Sequence, residues 1–78
     1  MSNSISKARE RLDKIKYYHK YAGANGYHQA MDYYSELVRI CKKANQNDAP
    51  IIHIFYKEAD ELMEEMKKRQ DDFKKESQ

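Results

Sequence analysis

Three histidines, one cysteine and a run of carboxylates are the side chains of this sequence with the most scope for chemistry. A metal site would need His19, His28 and His53 to converge, because imidazoles hold a transition metal only as a cluster of ligands. Cys41 would need an electropositive, partly open setting to act as a nucleophile, and its neighbours in the sequence supply none. The chain has no glycine-rich phosphate loop, paired-cysteine motif or nucleophile elbow. We therefore predict that it is not an enzyme and has no catalytic residues, metal or cofactor.

Two charged stretches offer binding chemistry instead. Cations and tyrosines alternate near the N-terminus, at Lys7, Arg9, Arg11, Lys14, Lys16, Tyr17, Tyr18, Lys20 and Tyr21. Such a surface can contact phosphates and stack on bases, or it can meet an acidic protein. A net charge of only +2 argues against nucleic acid as the main partner. An acidic band further along could dock a basic segment, and it comprises Glu58, Asp60, Glu61, Glu64 and Glu65. Either stretch could also be a plain solvated helix face.

Composition restricts the class of protein that holds these residues. A length of 78 residues allows one domain, residues 1–78. Helix-favouring residues dominate, whereas Val occurs once and Thr is missing. No apolar run is long enough for a membrane span or a signal peptide. The single cysteine cannot form an internal disulfide, which fits a reducing compartment. We predict a helical, cytoplasmic domain with no membrane span.

Hydrophobic spacing predicts three helices. The first has one apolar stripe, at Ile5, Ala8, Leu12, Ile15 and Ala22, and Gly23 is placed to end it in a left-handed conformation. The second has two neighbouring stripes, at Ala30, Tyr34, Leu37, Cys41 and Ala44 and at Tyr27, Met31 and Val38. The third carries a heptad stripe at Ile52, Phe55, Ala59, Leu62, Met66, Arg69 and Phe73. Two stripes on one helix indicate neighbours on two sides, as in the middle helix of a bundle.

These helices predict an all-α, antiparallel three-helix bundle. Their bounds are about 4–22, 27–45 and 49–74, joined by short connections that make sequential neighbours antiparallel. At the usual rise, the third helix would be roughly 35–40 Å long and the first two roughly 27 Å. We therefore predict that residues 70–78 project beyond the bundle and fray.

The start of the predicted second helix resembles the corresponding segment of MIT (microtubule-interacting and trafficking) domains. The family pattern is Gly or Asn, an aromatic, two variable residues, Ala, and Tyr four positions on. Gly26, Tyr27, Ala30 and Tyr34 match it. The run from Ala30 to Tyr34 resembles in particular the MIT domains of katanin-type microtubule-severing ATPases.

The predicted third helix is also similar to the MIT pattern of an aromatic, three variable residues, Ala, an acidic residue, a variable residue and Leu. Phe55, Ala59, Asp60 and Leu62 match it, so the likeness covers about residues 4 to 70. The chain departs from the family at Glu58, where an Arg is common.

The resemblance implies a non-enzymatic adaptor that binds short helical or extended protein tails, often of ESCRT-III type, in a groove between two helices. The implied groove lies between the second and third helices and is lined by Met31, Val38, Tyr56, Ala59 and Met63. Asp60 and Glu64 at its rim would pair with basic residues of the tail. The resemblance also implies a microtubule contact through the basic first helix. An attached ATPase, protease or kinase is implied too, which would make this chain a fragment.

The alternative is a small stand-alone helical regulator, of phage or bacterial type, that binds one protein target or dimerises. Its bundle would be similar, but its contact surface could lie anywhere. A gene that continues into an ATPase domain would support the adaptor, and a gene that ends at Gln78 would support the regulator. The partner and the oligomeric state stay open at this point.

Overall fold

The predicted three-helix bundle is confirmed. A computed structural model describes residues 3–76, which form three α-helices: α1 over Asn3–Tyr21, α2 over Gly26–Lys43 and α3 over Ala49–Glu76. A short 3₁₀ turn, Gly23–Asn25, joins α1 to α2. Within residues 3–76 there is no strand, as the predominance of helix formers requires.

Cross-helix contacts give the direction of each helix. Tyr18 stacks on Tyr33. Arg11, earlier on α1, pairs with Glu36, later on α2, so α1 and α2 run antiparallel. Asp60 of α3 contacts Tyr34, and Met66, further along α3, packs against Gly26 at the start of α2, so α2 and α3 are antiparallel too. α1 and α3 are consequently parallel, and all three helices touch one another.

The core follows the predicted stripes. All three helices contribute buried side chains to it: Ala8, Leu12, Ile15, Ala30, Leu37, Ile52, Ala59, Met63 and Met66. Small alanines on each helix let the backbones approach, and the larger Ile, Leu and Met side chains fill the space between them. Eight of these nine residues lie on the predicted stripes, whereas Met63, predicted to line the groove between the second and third helices, is also buried.

The first connection turns at Gly23. Its φ of +60° is the left-handed conformation that glycine adopts without a Cβ penalty, as the sequence predicts. The helix itself ends at Tyr21, one residue before the predicted boundary. The Ala22 amide still donates to the Tyr18 carbonyl at 3.0 Å, so Ala22 completes the last turn.

The second connection ends α2 two residues earlier than predicted. Ala44 is extended, with φ −65° and ψ 141°, and leaves the helix after Lys43. The Asn45 side-chain oxygen then accepts from the backbone amides of Asn47 and Asp48, at 3.0 and 2.9 Å. These bonds stabilise a turn in place of further helix, because Asn side chains compete for backbone donors. α3 begins at Ala49, as predicted, with Pro50 in its first turn.

α3 is the longest helix and extends past the other two. Its 28 residues span roughly 42 Å, against roughly 28 Å for the 19 residues of α1. Phe73, which continues the predicted core stripe, is 58% exposed because the bundle has ended by that level. The helix continues to Glu76, two residues past the predicted end. The predicted fraying of residues 70–78 stays a prediction, and Ser77 and Gln78 lie outside the described residues.

Candidate functional site

The surface between α2 and α3 contains a cavity of about 250 Å³, which we call the α2–α3 groove. Its walls are formed by Tyr27, Met31, Tyr34, Asp60, Met63, Glu64 and Lys67. Aromatic and methionine side chains supply the apolar surface, and two carboxylates and one ammonium line it on the α3 side. The groove forms because side chains four and seven residues apart on each helix share a face.

The structure brings four of the seven predicted site residues into this cavity: Met31, Asp60, Met63 and Glu64. Val38 and Tyr56 are half-buried and lie outside the cavity wall. Ala59 is fully buried. It therefore supports the groove from the core, where its small side chain allows close helix packing, and presents no surface to a partner.

A polar contact closes the groove at the level of Tyr34. The Tyr34 hydroxyl donates to a carboxylate oxygen of Asp60 at 2.9 Å and lies 3.4 Å from the Tyr56 hydroxyl. The Tyr34 and Tyr56 rings stack, with centroids 5.9 Å apart and planes inclined by 21°. This stacked and hydrogen-bonded trio, Tyr34–Tyr56–Asp60, forms the lower end of the cavity.

Sequence reasoning placed Tyr34 on the core stripe and missed its part in the site. Tyr27 and Lys67 were also missed as cavity walls. One signal pointed to Tyr34, because a buried tyrosine usually needs a hydrogen-bond partner for its hydroxyl. The choice of Asp60 as that partner depends on how α2 and α3 are aligned, which the sequence of one helix does not specify.

The environment of Tyr34 favours its neutral form. Burial raises the pKa of the Tyr34 phenol far above its usual range, and the hydrogen bonds with Tyr56 and Asp60 and the Asp60 charge raise it further. The phenol therefore keeps its proton, and its bond to Asp60, at every physiological pH.

Tyr34→Phe is expected to lower the free energy of unfolding by about 0.5–1.5 kcal/mol at neutral pH, the usual worth of one hydrogen bond. The raised folded-state pKa also has a pH signature. Its stabilisation is complete below about pH 10 and is lost as pH rises, because the unfolded chain ionises first. The free energy of unfolding, measured with urea at pH 8 and at pH 11, should therefore fall by less between these pH values in Tyr34→Phe than in wild type. Tyr17→Phe, at a ring 57% exposed, should keep the wild-type loss.

A second, more open concavity of about 720 Å³ lies below the Tyr34–Tyr56–Asp60 trio. Cys41, Gln46, Ala49, Pro50 and His53 line it. The His53 and Tyr56 ring centroids are 5.9 Å apart, which links this concavity to the groove above. Cys41 is half-buried and unpaired, as expected for a small apolar side chain near a core.

The histidines do not converge. His19 lies 3.0 Å from Glu65 across the contact of α1 with α3, whereas His28 contacts Tyr27 and His53 contacts Tyr56. No group of three or more His, Cys, Asp or Glu side chains within residues 3–76 is placed to hold a metal ion.

The seam between α1 and α3 is lined by matched charges. Lys16 pairs with Glu58 at 3.1 Å, and His19 faces Glu65. The Arg69 guanidinium donates to the His19 carbonyl at 2.6 Å, near the end of α1, where helix carbonyls lack partners. Much of the acidic band predicted from the sequence is thus used within the bundle, at Glu58, Asp60 and Glu65.

Comparison of the chain with protein-family models, with curated proteins and with solved structures gives no match. Within the described part of the chain, no helix combines the length and the apolar character needed to cross a membrane. The chain is an all-α three-helix bundle with a surface groove between α2 and α3.

Proposed function

We propose that the chain is a protein-binding module whose α2–α3 groove receives a short amphipathic segment with basic residues at its edge. The observation that carries this proposal is the composition of the cavity wall. Two methionines and two tyrosines form its apolar surface, and Asp60 and Glu64 stand together on its α3 side. This is the mode of recognition that the resemblance to MIT domains implies.

The apolar surface would supply affinity. Methionine is unbranched and adapts to differently shaped side chains, which suits a groove that accepts apolar residues at helical spacing. Met31 is half-buried and packs against the core, whereas Met63 is only 4% exposed and forms the floor. A bound segment would thus find a fixed floor at Met63 and a more adaptable wall at Met31.

The carboxylates would set register. Asp60 accepts one hydrogen bond from Tyr34, and a carboxylate has room for further donors. Glu64 is exposed one turn further along α3, so the two acids mark a line parallel to the groove. Basic residues of the segment would pair with this line, which selects orientation more than it adds affinity. Lys67, next along the wall, would repel a cation there and limit how far the basic edge extends.

A charge-swap experiment tests this arrangement. The probe is an amphipathic helical peptide with apolar residues at i, i+3, i+4 and i+7 and two lysines on one edge. Glu64→Lys should weaken its binding by about tenfold, because a favourable rim pair becomes a repulsive one. A peptide with glutamates in place of the lysines should bind Glu64→Lys more tightly than it binds wild type.

Glu61→Lys is the matched control, since Glu61 is an exposed carboxylate on the same helix that does not line the groove. It should change the affinity for the lysine peptide by less than about twofold, through long-range charge alone. Equal weakening by Glu61→Lys and Glu64→Lys, or failure of the glutamate peptide to prefer Glu64→Lys, would contradict the proposal.

A further inference from the structure

The cations along the contact of α1 with α3 have more carboxylate partners than those along the contact of α1 with α2. On the α3 side, Lys16 and His19 each face a glutamate. On the α2 side, a cavity of about 290 Å³ is lined by four cations, Lys7, Arg11, Arg39 and Lys43, with Glu36 as its only carboxylate. We call this cavity, whose wall is completed by Ser4 and Ile40, the α1–α2 groove.

Glu36 neutralises only one of these cations. It pairs with Arg11, which also lies 3.3 Å from Glu10. Lys7, Arg39 and Lys43 form no ion pair with another described residue, so three cations from two helices face one concavity uncompensated. Like charges held close together raise the local potential and attract an anion.

We propose that the α1–α2 groove docks an acidic segment of a protein partner. The wall combines cations with Ile40, a half-buried apolar side chain that packs against the core. Carboxylates of a partner segment would pair with Lys7, Arg39 and Lys43, and an apolar side chain between them would contact Ile40. This surface is separate from the α2–α3 groove and of opposite charge, so the inference stands apart from the proposed function.

The lining of the α1–α2 groove favours a protein segment over single-stranded nucleic acid, because none of its described residues is aromatic. Bases bind such proteins by stacking on free aromatic faces next to cations. Here the Tyr18 ring is stacked on Tyr33 at 5.8 Å and is met edge-on by Tyr17 at 5.5 Å. Tyr17 in turn contacts Tyr21 at 5.1 Å. These tyrosines lie outside the lining of the groove, so the groove itself offers no aromatic face on which a base could stack.

Fluorescence anisotropy with two synthetic peptides tests the inference. The probe is a labelled helical peptide with glutamates at i and i+4 around a single leucine, and its partner replaces each glutamate with glutamine. Wild type should bind the glutamate peptide at least about tenfold more tightly than the glutamine peptide, and added salt should weaken this binding because the contacts are exposed. Arg39→Glu with Lys43→Glu should weaken binding of the glutamate peptide by about tenfold or more.

Lys57→Glu with Lys68→Glu is the matched control. Both lysines are exposed on α3, away from this groove, and the net charge changes by the same amount. This control should change affinity by less than about twofold through long-range charge alone. All four positions are exposed, and thermal melting should show that each double variant remains folded.

Three results would overturn the inference. The first is equal weakening by the two double variants, which would reduce the effect to overall charge. The second is tighter binding of a single-stranded oligonucleotide than of the glutamate peptide, lost in Arg39→Glu with Lys43→Glu. The third is salt-sensitive self-association of wild type that the same variant abolishes, which would make the occupant a second copy of this chain. The lysine peptide that probes the α2–α3 groove should bind the Arg39→Glu, Lys43→Glu variant at least as tightly as it binds wild type.

Discussion

Ala59→Asp is expected to lower the free energy of unfolding by about 3–5 kcal/mol, the cost of leaving one buried charge without a partner. Ala59 is fully buried between helices, where an aspartate has neither water nor a cation to contact. A domain of this size has a net stability of only about 4–12 kcal/mol, so the variant should lose a large share of it. Urea unfolding followed by circular dichroism measures the change.

Ile54→Asp is the control for this prediction. It introduces the same residue into the same helix at a position that is 64% exposed, so it should cost less than about 1 kcal/mol. Acid supplies a second check, because burial raises the pKa of a carboxyl and the protonated form is cheaper to bury. The deficit of Ala59→Asp should therefore shrink as pH falls from 7 toward 4. A variant as stable as Ile54→Asp would show that α3 is wrongly phased.

Gly26→Ala is expected to destabilise the bundle by about 1–3 kcal/mol through overpacking. A Cβ at Gly26 would lie 2.9 Å from the Tyr18 carbonyl oxygen and 3.0 Å from the Met66 sulfur. The flexible Met66 side chain can move aside, whereas the Tyr18 carbonyl belongs to the backbone of α1 and cannot. Alanine is intrinsically better than glycine in a helix by about 1 kcal/mol, so a measured loss means that the clash outweighs propensity.

Gln29→Ala controls for an alanine placed on an exposed face of α2, since Gln29 is exposed on the first turns of this helix. It should leave the melting temperature nearly unchanged. If Gly26→Ala were as stable as wild type, the end of α1 and the start of α2 could move apart without loss of stability. The close approach at Gly26 would then not be a determinant of the bundle.

The fold could be read from the sequence because helix phase is a local property. Leu12, Ile15, Leu37 and Met66 repeat at helical spacing, and each is buried as its stripe predicts. The predicted end of α2 was two residues too late because the Asn45 side chain competes for backbone amides. The spacing of hydrophobic residues does not indicate such hydrogen bonds.

The candidate site was predictable only in part. Met31 and Met63 face the groove because their helix phases place them there. The bond from Tyr34 to Asp60 depends on the alignment of two helices, and that alignment is a tertiary property. The unbalanced cations of the α1–α2 groove likewise depend on which face of α1 each lysine or arginine occupies relative to its neighbours.

The most direct test of the proposed function is an NMR titration of the ¹⁵N-labelled chain with peptides from ESCRT-III-type C-terminal tails. We predict shifts centred on Tyr27, Met31, Tyr34 and Met63, with Asp60 and Glu64 perturbed at the rim, and α1 amides unchanged. Absence of shifts at millimolar peptide, or shifts confined to the α1–α2 groove, would contradict the claim that the α2–α3 groove receives a protein tail.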